Sequence, residues 1–193
     1  MLEALVTSIA IVGLAEIGDK TMLLAIVLAA RFRKPAPIIL GILLATVANH
    51  LIAALLGAQA ASWFDGPVFR YAVAIGFIAM GLWTLVPDKF EEDEGPKPRF
   101  GPFLATLIAF FLVEIGDKTQ IATIALGARY GDAVVVTIGT TLGMLAANAP
   151  AVFLGDRLVK IIPLAHIRYA AAALFVLLGL YMLASIWGFA GGW

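Results

Sequence analysis

One charged hexapeptide occurs twice, unchanged, in a chain that otherwise carries few charges. Glu16-Ile17-Gly18-Asp19-Lys20-Thr21 returns as Glu114-Ile115-Gly116-Asp117-Lys118-Thr119, 98 positions later. The same offset pairs Ala30-Arg31 with Ala128-Arg129, Gly41 with Gly139, Gly57 with Gly155, Arg70-Tyr71 with Arg168-Tyr169, Phe77 with Phe175 and Gly81 with Gly179. From Glu16 to Phe32, ten of 17 positions are identical. Unrelated apolar segments share leucines by chance, but not a charged hexapeptide followed by glycines and arginines in register. The chain reads as a duplication, so its fold has to be built twice from one plan.

Each copy is embedded in apolar sequence. Of the 193 residues, 62% are of apolar types, 19 more are glycine, and only 13% are charged; the mean hydropathy is +1.01. A soluble domain stands near 45–50% apolar, roughly, with about 25% charged. This chain could not cover a water-facing surface, which excludes a soluble enzyme. One bilayer crossing takes about 20 apolar residues, and 62% of 193 is about 120, the content of six. Six apolar stretches fall at 4–30, 37–60, 68–87, 102–126, 133–155 and 166–189. The expected fold class is an all-α integral membrane protein with six transmembrane helices. Cysteine is absent, so there is no disulfide, thiolate nucleophile or thiolate metal site. Zero net charge without a basic tract argues against a nucleic-acid partner. The residues ahead of the first apolar run hold Glu3 and neither Lys nor Arg, so that run is read as a retained helix, not a cleaved signal.

A single strongly hydrophilic stretch, 88–101, contains Asp88, Glu91, Glu92, Asp93, Glu94, Lys97 and Arg99. It is read as a solvated linker, with weak cation capture as the alternative, between a first repeat, 1–87, and a second, 102–193. Three crossings per repeat is an odd number, so the second copy enters the membrane from the opposite side. The result is an inverted-topology 3+3 repeat, an architecture of secondary transporters. Loops one, three and five together hold Arg31, Arg33, Lys34, Lys89, Lys97, Arg99, Arg157, Lys160 and Arg168, nine basic residues against Arg70 and Arg129 on the other side. By the positive-inside bias the linker is cytoplasmic and both termini are on the non-cytoplasmic side. Trp63, Trp187 and Trp193 then fall near the outer interface, where indole rings are favoured.

Glu16 and Glu114 lie about 12 residues into their spans, about 18 Å at 1.5 Å per residue, near the middle of a layer about 30 Å thick. Asp19 and Lys20 follow Glu16 by three and four positions and are expected to share its helix face, as are Asp117 and Lys118 with Glu114. A charge at that depth costs at least ~2.5–3.5 kcal/mol, so the six groups are expected to face one another or a water-filled cavity. Ion pairs Glu16–Lys20 and Glu114–Lys118 that merely hold the fold together would leave Asp19 and Asp117 without a partner. Four carboxylates and two lysines sum to −2, which one dication or two protons would balance. Metal and protons would then compete for one set of carboxylates, and each would drive the other across. Gly18 and Gly116 are expected to allow close helix approach and to weaken the helix locally. Thr21, Thr119 and Gln120 offer neutral oxygens. Asn49 and Asn148 are further candidates, either as ligands or as plain interhelical hydrogen bonds. His50 is read as lacking a counterpart in the second half and stands as a minor candidate; Met22 is read as packing. An all-oxygen donor set suits a hard cation such as Ca²⁺, Mg²⁺ or Mn²⁺ and does not rank Mn²⁺ against Ca²⁺. Gly139 with Gly143, and Gly76 with Gly81, fit close helix contact within one chain or between subunits, so monomer and homodimer both stay open.

Two Glu-x-Gly-Asp-Lys-Thr motifs, in the first and fourth of six helices, resemble the signature of the GDT1 family across essentially the whole chain. The resemblance implies a cation/proton antiporter moving Mn²⁺, and in eukaryotic members also Ca²⁺, with no fixed cofactor and H⁺ as coupling ion. Glu16, Asp19, Glu114 and Asp117 match the family's acidic positions and would be the cation ligands; Lys20, Lys118, Thr21 and Thr119 match the residues beside them. A compact prokaryotic member resembles a manganese exporter of the plasma (inner) membrane. The expected function is Mn²⁺ export against protons, with Ca²⁺/H⁺ antiport as the near alternative and export of a small organic solute as a more distant one. An assembly factor without transport activity is the reading from outside the transporter class.

Overall fold

Proline opens three of the helices at their first turn, where its missing N–H costs nothing, and glycines interrupt the long apolar runs. The computed structural model describes residues 1–64, 66–86 and 100–188. Over these the chain forms α1 (Leu2–Glu16), α2 (Lys20–Phe32), α3 (Pro35–Trp63), α4 (Pro67–Thr84), α5 (Pro102–Glu114), α6 (Lys118–Tyr130), α7 (Ala133–Leu154), α8 (Asp156–Ile161) and α9 (Leu164–Ile186). Among them α3, α4, α7 and α9 are long and apolar enough to cross a bilayer. The protein is an all-α, multi-pass helical bundle. Apart from Phe100 and Gly101, the linker expected at 88–101 lies outside the described residues, as does Trp193.

Its polarity is that of a membrane protein. Large apolar side chains such as Leu40, Leu44, Ile52, Leu55 and Leu56 of α3 are exposed, whereas Glu16, Asp19, Glu114, Asp117, Asn148 and His50 are buried. Two apolar clusters form the interior. One gathers Val12, Leu24, Ile38, Ile42, Phe110 and Val152; the other gathers Ile11, Phe77, Leu126, Val136 and Phe175. Helix α3 feeds the first through Ile38, Ile42 and Ala45 and the second through Ala54, with Asn49 and His50 between.

The 98-residue offset reappears in the packing. A Cβ placed on Gly41 of α3 would stand 2.8 Å from the Thr106 Cβ and 2.9 Å from the Phe103 carbonyl of α5; one on Gly139 of α7 would stand 2.6 Å from the Ser8 Cβ and 2.8 Å from the Leu5 carbonyl of α1. Ser8 and Thr106, and Leu5 and Phe103, are themselves one offset apart. Gly81 on the Ala172 carbonyl and Gly179 on the Ala74 carbonyl repeat the relation between α4 and α9. Gly143 packs closely on Gly13, as small residues do at helix contacts, but a Cβ at Gly76 would meet nothing within 4 Å among the described residues of the chain, so Gly76 makes no close contact within it. Gly57 lies against the backbone of α6 inside an unbroken α3, whereas its counterpart Gly155 ends α7 with open space around it.

The spans expected as single helices at 4–30 and 102–126 are each split inside the hexapeptide. Gly18 has φ +86° and Gly116 φ +79°, values that a right-handed helix cannot contain and that glycine adopts without a side-chain clash. Asp19 and Asp117 then stand as N-caps of α2 and α6, a position that aspartate favours. At one end of the bundle, Glu3 near the start of α1 meets Arg129 and Tyr130 at the end of α6, at 3.4 and 3.3 Å. Arg129 also lies over the Tyr181 ring of α9, and the Trp187 indole donates to the Tyr71 hydroxyl of α4 at 2.7 Å. The N-terminus, the start of α4 and the ends of α6 and α9 thus share one end.

Candidate cation site

Each interruption turns a stretch of apolar helix into two helix ends inside the bundle. The C-termini of α1 and α5 bring Glu16 and Glu114 as their last residues, and the N-termini of α2 and α6 bring the capping aspartates. Such ends carry partial charges and backbone groups not used up within the helix. The Asp117 carboxylate accepts from the Thr119 amide at 3.3 Å and from its hydroxyl at 3.1 Å.

Carboxylate oxygens of Glu16, Asp19 and Asp117 lie within 4.8 Å of one another, and all three residues are buried. The group draws on both motifs. Thr21 donates its hydroxyl to Glu16 Oε2, and Asn148 of α7 reaches the same oxygen at 3.4 Å. The other oxygen, Glu16 Oε1, accepts no hydrogen bond among the described residues, nor does Glu114 Oε1. Buried acceptors left open in this way are costly unless something fills them. Glu114 stands outside the trio, with Thr119 Oγ1 at 3.4 Å and His50 Nε2 at 3.5 Å from its Oε2.

The break rearranges the partners expected from a continuous helix. Lys20 does not turn back to Glu16; its Nζ lies 3.0 Å from Asp117 Oδ1, in the other motif. Lys118 donates to the Val86 carbonyl at 3.2 Å, sits over the Trp83 ring, and lines a small cavity with Asp19, Thr84 and Arg168. The Lys20 pair therefore runs between the motifs, and Asp117 is not left unpaired. Gln120 joins no carboxylate among the described residues: its side-chain oxygen accepts from the Gly116 amide at 2.7 Å and closes the turn of the break. Gly116 has open space at its Cβ position, so it serves the positive φ and not a close approach; Gly18 has the same φ requirement and also lies against Leu164. Of the two asparagines, Asn49 donates to the Phe111 carbonyl at 3.0 Å, an interhelical hydrogen bond, while Asn148 reaches a motif glutamate.

His50 is the residue that reading by likeness undervalues. Position 50 plus 98 is 148, so its counterpart is Asn148, and Asn49 corresponds to Ala147. The structure bears this out in space: His50 of α3 stands by Glu114, and Asn148 of α7 stands by Glu16. The offset itself was the available signal, once unlike residues were compared as well as like ones. The Gly-Asp-Lys-Thr order was the signal for the breaks, since a glycine followed by a capping aspartate reads as one helix ending and another beginning.

The sequence profile of the family described as "Divalent cation/proton antiporter GDT1" matches residues 4–92 and 102–188. The chain belongs to this family. The two matched stretches each contain one hexapeptide. A Vibrio cholerae protein named "Putative manganese exporter" is 50% identical over 181 residues, covering 93% of this chain and 90% of its own length. GDT1-like protein 5 of Arabidopsis thaliana is 27% identical over 229 residues, covering 95% of this chain and 96% of the plant protein. GDT1-like protein sll0615 of Synechocystis is 30% identical over 164 residues, 74% of this chain and 78% of its own. No solved structure matches. As a GDT1 member the protein is a secondary transporter related to manganese exporters and cation/proton antiporters, not an enzyme, with a buried acidic cluster able to take an ion.

Proposed function

We propose that this protein exports Mn²⁺ from the cytoplasm in exchange for protons, using Glu16, Asp19, Glu114 and Asp117 as the cation site. The observation that carries this is the buried trio of Glu16, Asp19 and Asp117, three carboxylates from two motifs within 4.8 Å. Like charges so placed are stable only with a cation or protons among them, and a metal binds the deprotonated form. One set of oxygens therefore holds either the dication or the protons, which is the requirement for exchange. Lys20 and Lys118 limit the negative charge, and Thr21, Thr119 and Asn148 orient the glutamates and Asp117.

In this reading α1–α2 and α5–α6 are the first and fourth of six crossings, interrupted near the midplane, and α3, α4, α7 with α8, and α9 are the others. The repeats 1–87 and 102–193 are inverted about the linker. Interrupted helices with ion-binding ends are the form such sites take in inverted-repeat transporters. The positive-inside count orients the linker to the cytoplasm and both termini to the periplasm of a prokaryotic inner membrane. The shared end of the N-terminus, the start of α4 and the ends of α6 and α9 agrees with this alternation. A cluster confined to 4.8 Å suits a bare ion better than an organic solute.

Proteoliposomes with a proton-sensitive dye inside test the reading. Addition of Mn²⁺ should move protons in the wild-type protein, while Glu16→Gln and Glu114→Gln should abolish the signal with the folded monodisperse peak retained. Undiminished exchange in both variants would overturn the site. Ca²⁺ in the same assay measures the near alternative.

A further inference from the structure

The motif residues offer oxygen alone, which leaves Mn²⁺ and Ca²⁺ unranked. We propose that His50 supplies a nitrogen ligand to the cation held at Glu114 and thereby ranks Mn²⁺ above Ca²⁺ and Mg²⁺, an inference that rests on the cation-transport reading above.

His50 is fully buried on α3, between the two apolar clusters, and neither ring nitrogen makes a hydrogen bond among the described residues. A buried polar group without a partner is costly, and an apolar residue at this position would avoid that cost. Nε2 lies 3.5 Å from Glu114 Oε2, too long for a good hydrogen bond. It is instead the spacing of two donors on one ion: bonds of about 2.1–2.2 Å at angles between octahedral and tetrahedral separate neighbouring donors by about 3–3.6 Å. Glu114 Oε1 is likewise without a hydrogen bond. Glu16 and Asp117 are also near enough to act on the same ring electrostatically.

The second half has no equivalent. Asn148 stands where the duplication would put a second histidine, and its amide nitrogen is a donor, directed at Glu16 and at the Met144 carbonyl at 3.0 Å. Beside the oxygen donors of the motifs, the imidazole of His50 next to Glu114 is thus the nitrogen donor that the repeat does not duplicate. Ca²⁺ and Mg²⁺ are oxygen-seeking ions that gain little from imidazole. Mn²⁺ too favours oxygen and is the weakest binder of the first-row transition series, but as a transition dication it accepts an imidazole among oxygen donors more readily than Ca²⁺ or Mg²⁺ does.

The chain has two histidines, His50 and the exposed His166, so isotope labelling of histidine is nearly residue-specific. The full-length protein, freed of any histidine tag, is purified in detergent and loaded with one equivalent of Mn²⁺. Pulsed electron paramagnetic resonance should show coupling to a directly bound ¹⁴N, converted to a ¹⁵N pattern by labelled histidine and absent in His50→Asn. Titration calorimetry of His50→Asn should show Mn²⁺ affinity lowered at least about tenfold, about 1.4 kcal/mol, with Ca²⁺ affinity changed less than about twofold. Mn²⁺ bound to the wild-type protein without histidine coupling, or an unchanged Mn²⁺/Ca²⁺ ratio in the variant, overturns the role of His50 and leaves the cation site standing. No Mn²⁺ binding to the wild-type protein overturns both. Should His50→Asn fail to fold, the labelled wild-type spectrum decides the question alone.

Discussion

Lys20 of the first motif and Asp117 of the second are joined at 3.0 Å, so an ion pair ties one hexapeptide to the other. Removing one partner leaves a buried charge uncompensated. Lys20→Met should destabilise the protein by about 3 kcal/mol, toward the lower end of the range for broken buried pairs because the lysine is partly exposed. The double variant Lys20→Met/Asp117→Asn should recover at least about half of that loss. Thermal unfolding in detergent, run as a four-member cycle, checks both; additive losses would mean that the pair is not coupled.

The interruptions depend on two glycines at positive φ. Gly18→Ala and Gly116→Ala each force a side chain into the left-handed region, at roughly 1–2 kcal/mol. At Gly18 the new methyl also meets Leu164 Cδ2 at 3.0 Å, while at Gly116 it meets nothing. Gly18→Ala should therefore lower the melting temperature more than Gly116→Ala, and Leu164→Ala should remove the difference. Equal losses that ignore Leu164 would show that only backbone strain matters.

Two further glycines separate packing from propensity. Gly139→Ala places a Cβ 2.6 Å from that of Ser8 and 2.8 Å from the Leu5 carbonyl. It should push α1 off α7 and cost about 1–3 kcal/mol. Gly76→Ala, in an open stretch of α4, should be neutral or stabilising by up to about 1 kcal/mol. Denaturation midpoints of the two variants should move in opposite directions or differ widely in size.

Binding and folding are linked through the same carboxylates. Mn²⁺ at about 100 times its dissociation constant should add about 2.7 kcal/mol to stability. Because the metal takes deprotonated carboxylates, binding releases protons and its affinity falls as pH is lowered. The Mn²⁺-induced rise in melting temperature should therefore shrink steadily from pH 8 to about pH 5, and should be missing in Glu16→Gln at every pH. A rise independent of pH would place the metal on groups other than these acids.

Much of this was legible from residue order. The doubled hexapeptide and the apolar runs identified a helical membrane protein with its acidic groups turned inward, because burial of charge has few solutions in a bilayer. The partners were less legible. Treating 4–30 as continuous placed Lys20 one turn from Glu16, and only the positive φ of Gly18 redirects it to Asp117. The likeness of Asn49 and Asn148 invited pairing by type, whereas geometry pairs by position, 50 with 148. Helix periodicity reports which residues share a face only while the helix lasts, and at the motif it does not.

His50 and Asn148 occupy one position of a duplicated plan, yet they hold different chemistry against different glutamates. Two separate copies of a half-length chain would be bound to carry the same residue twice. Joined in a single polypeptide, the copies are free to diverge, and a symmetric cage for an ion can acquire a distinguishable left and right.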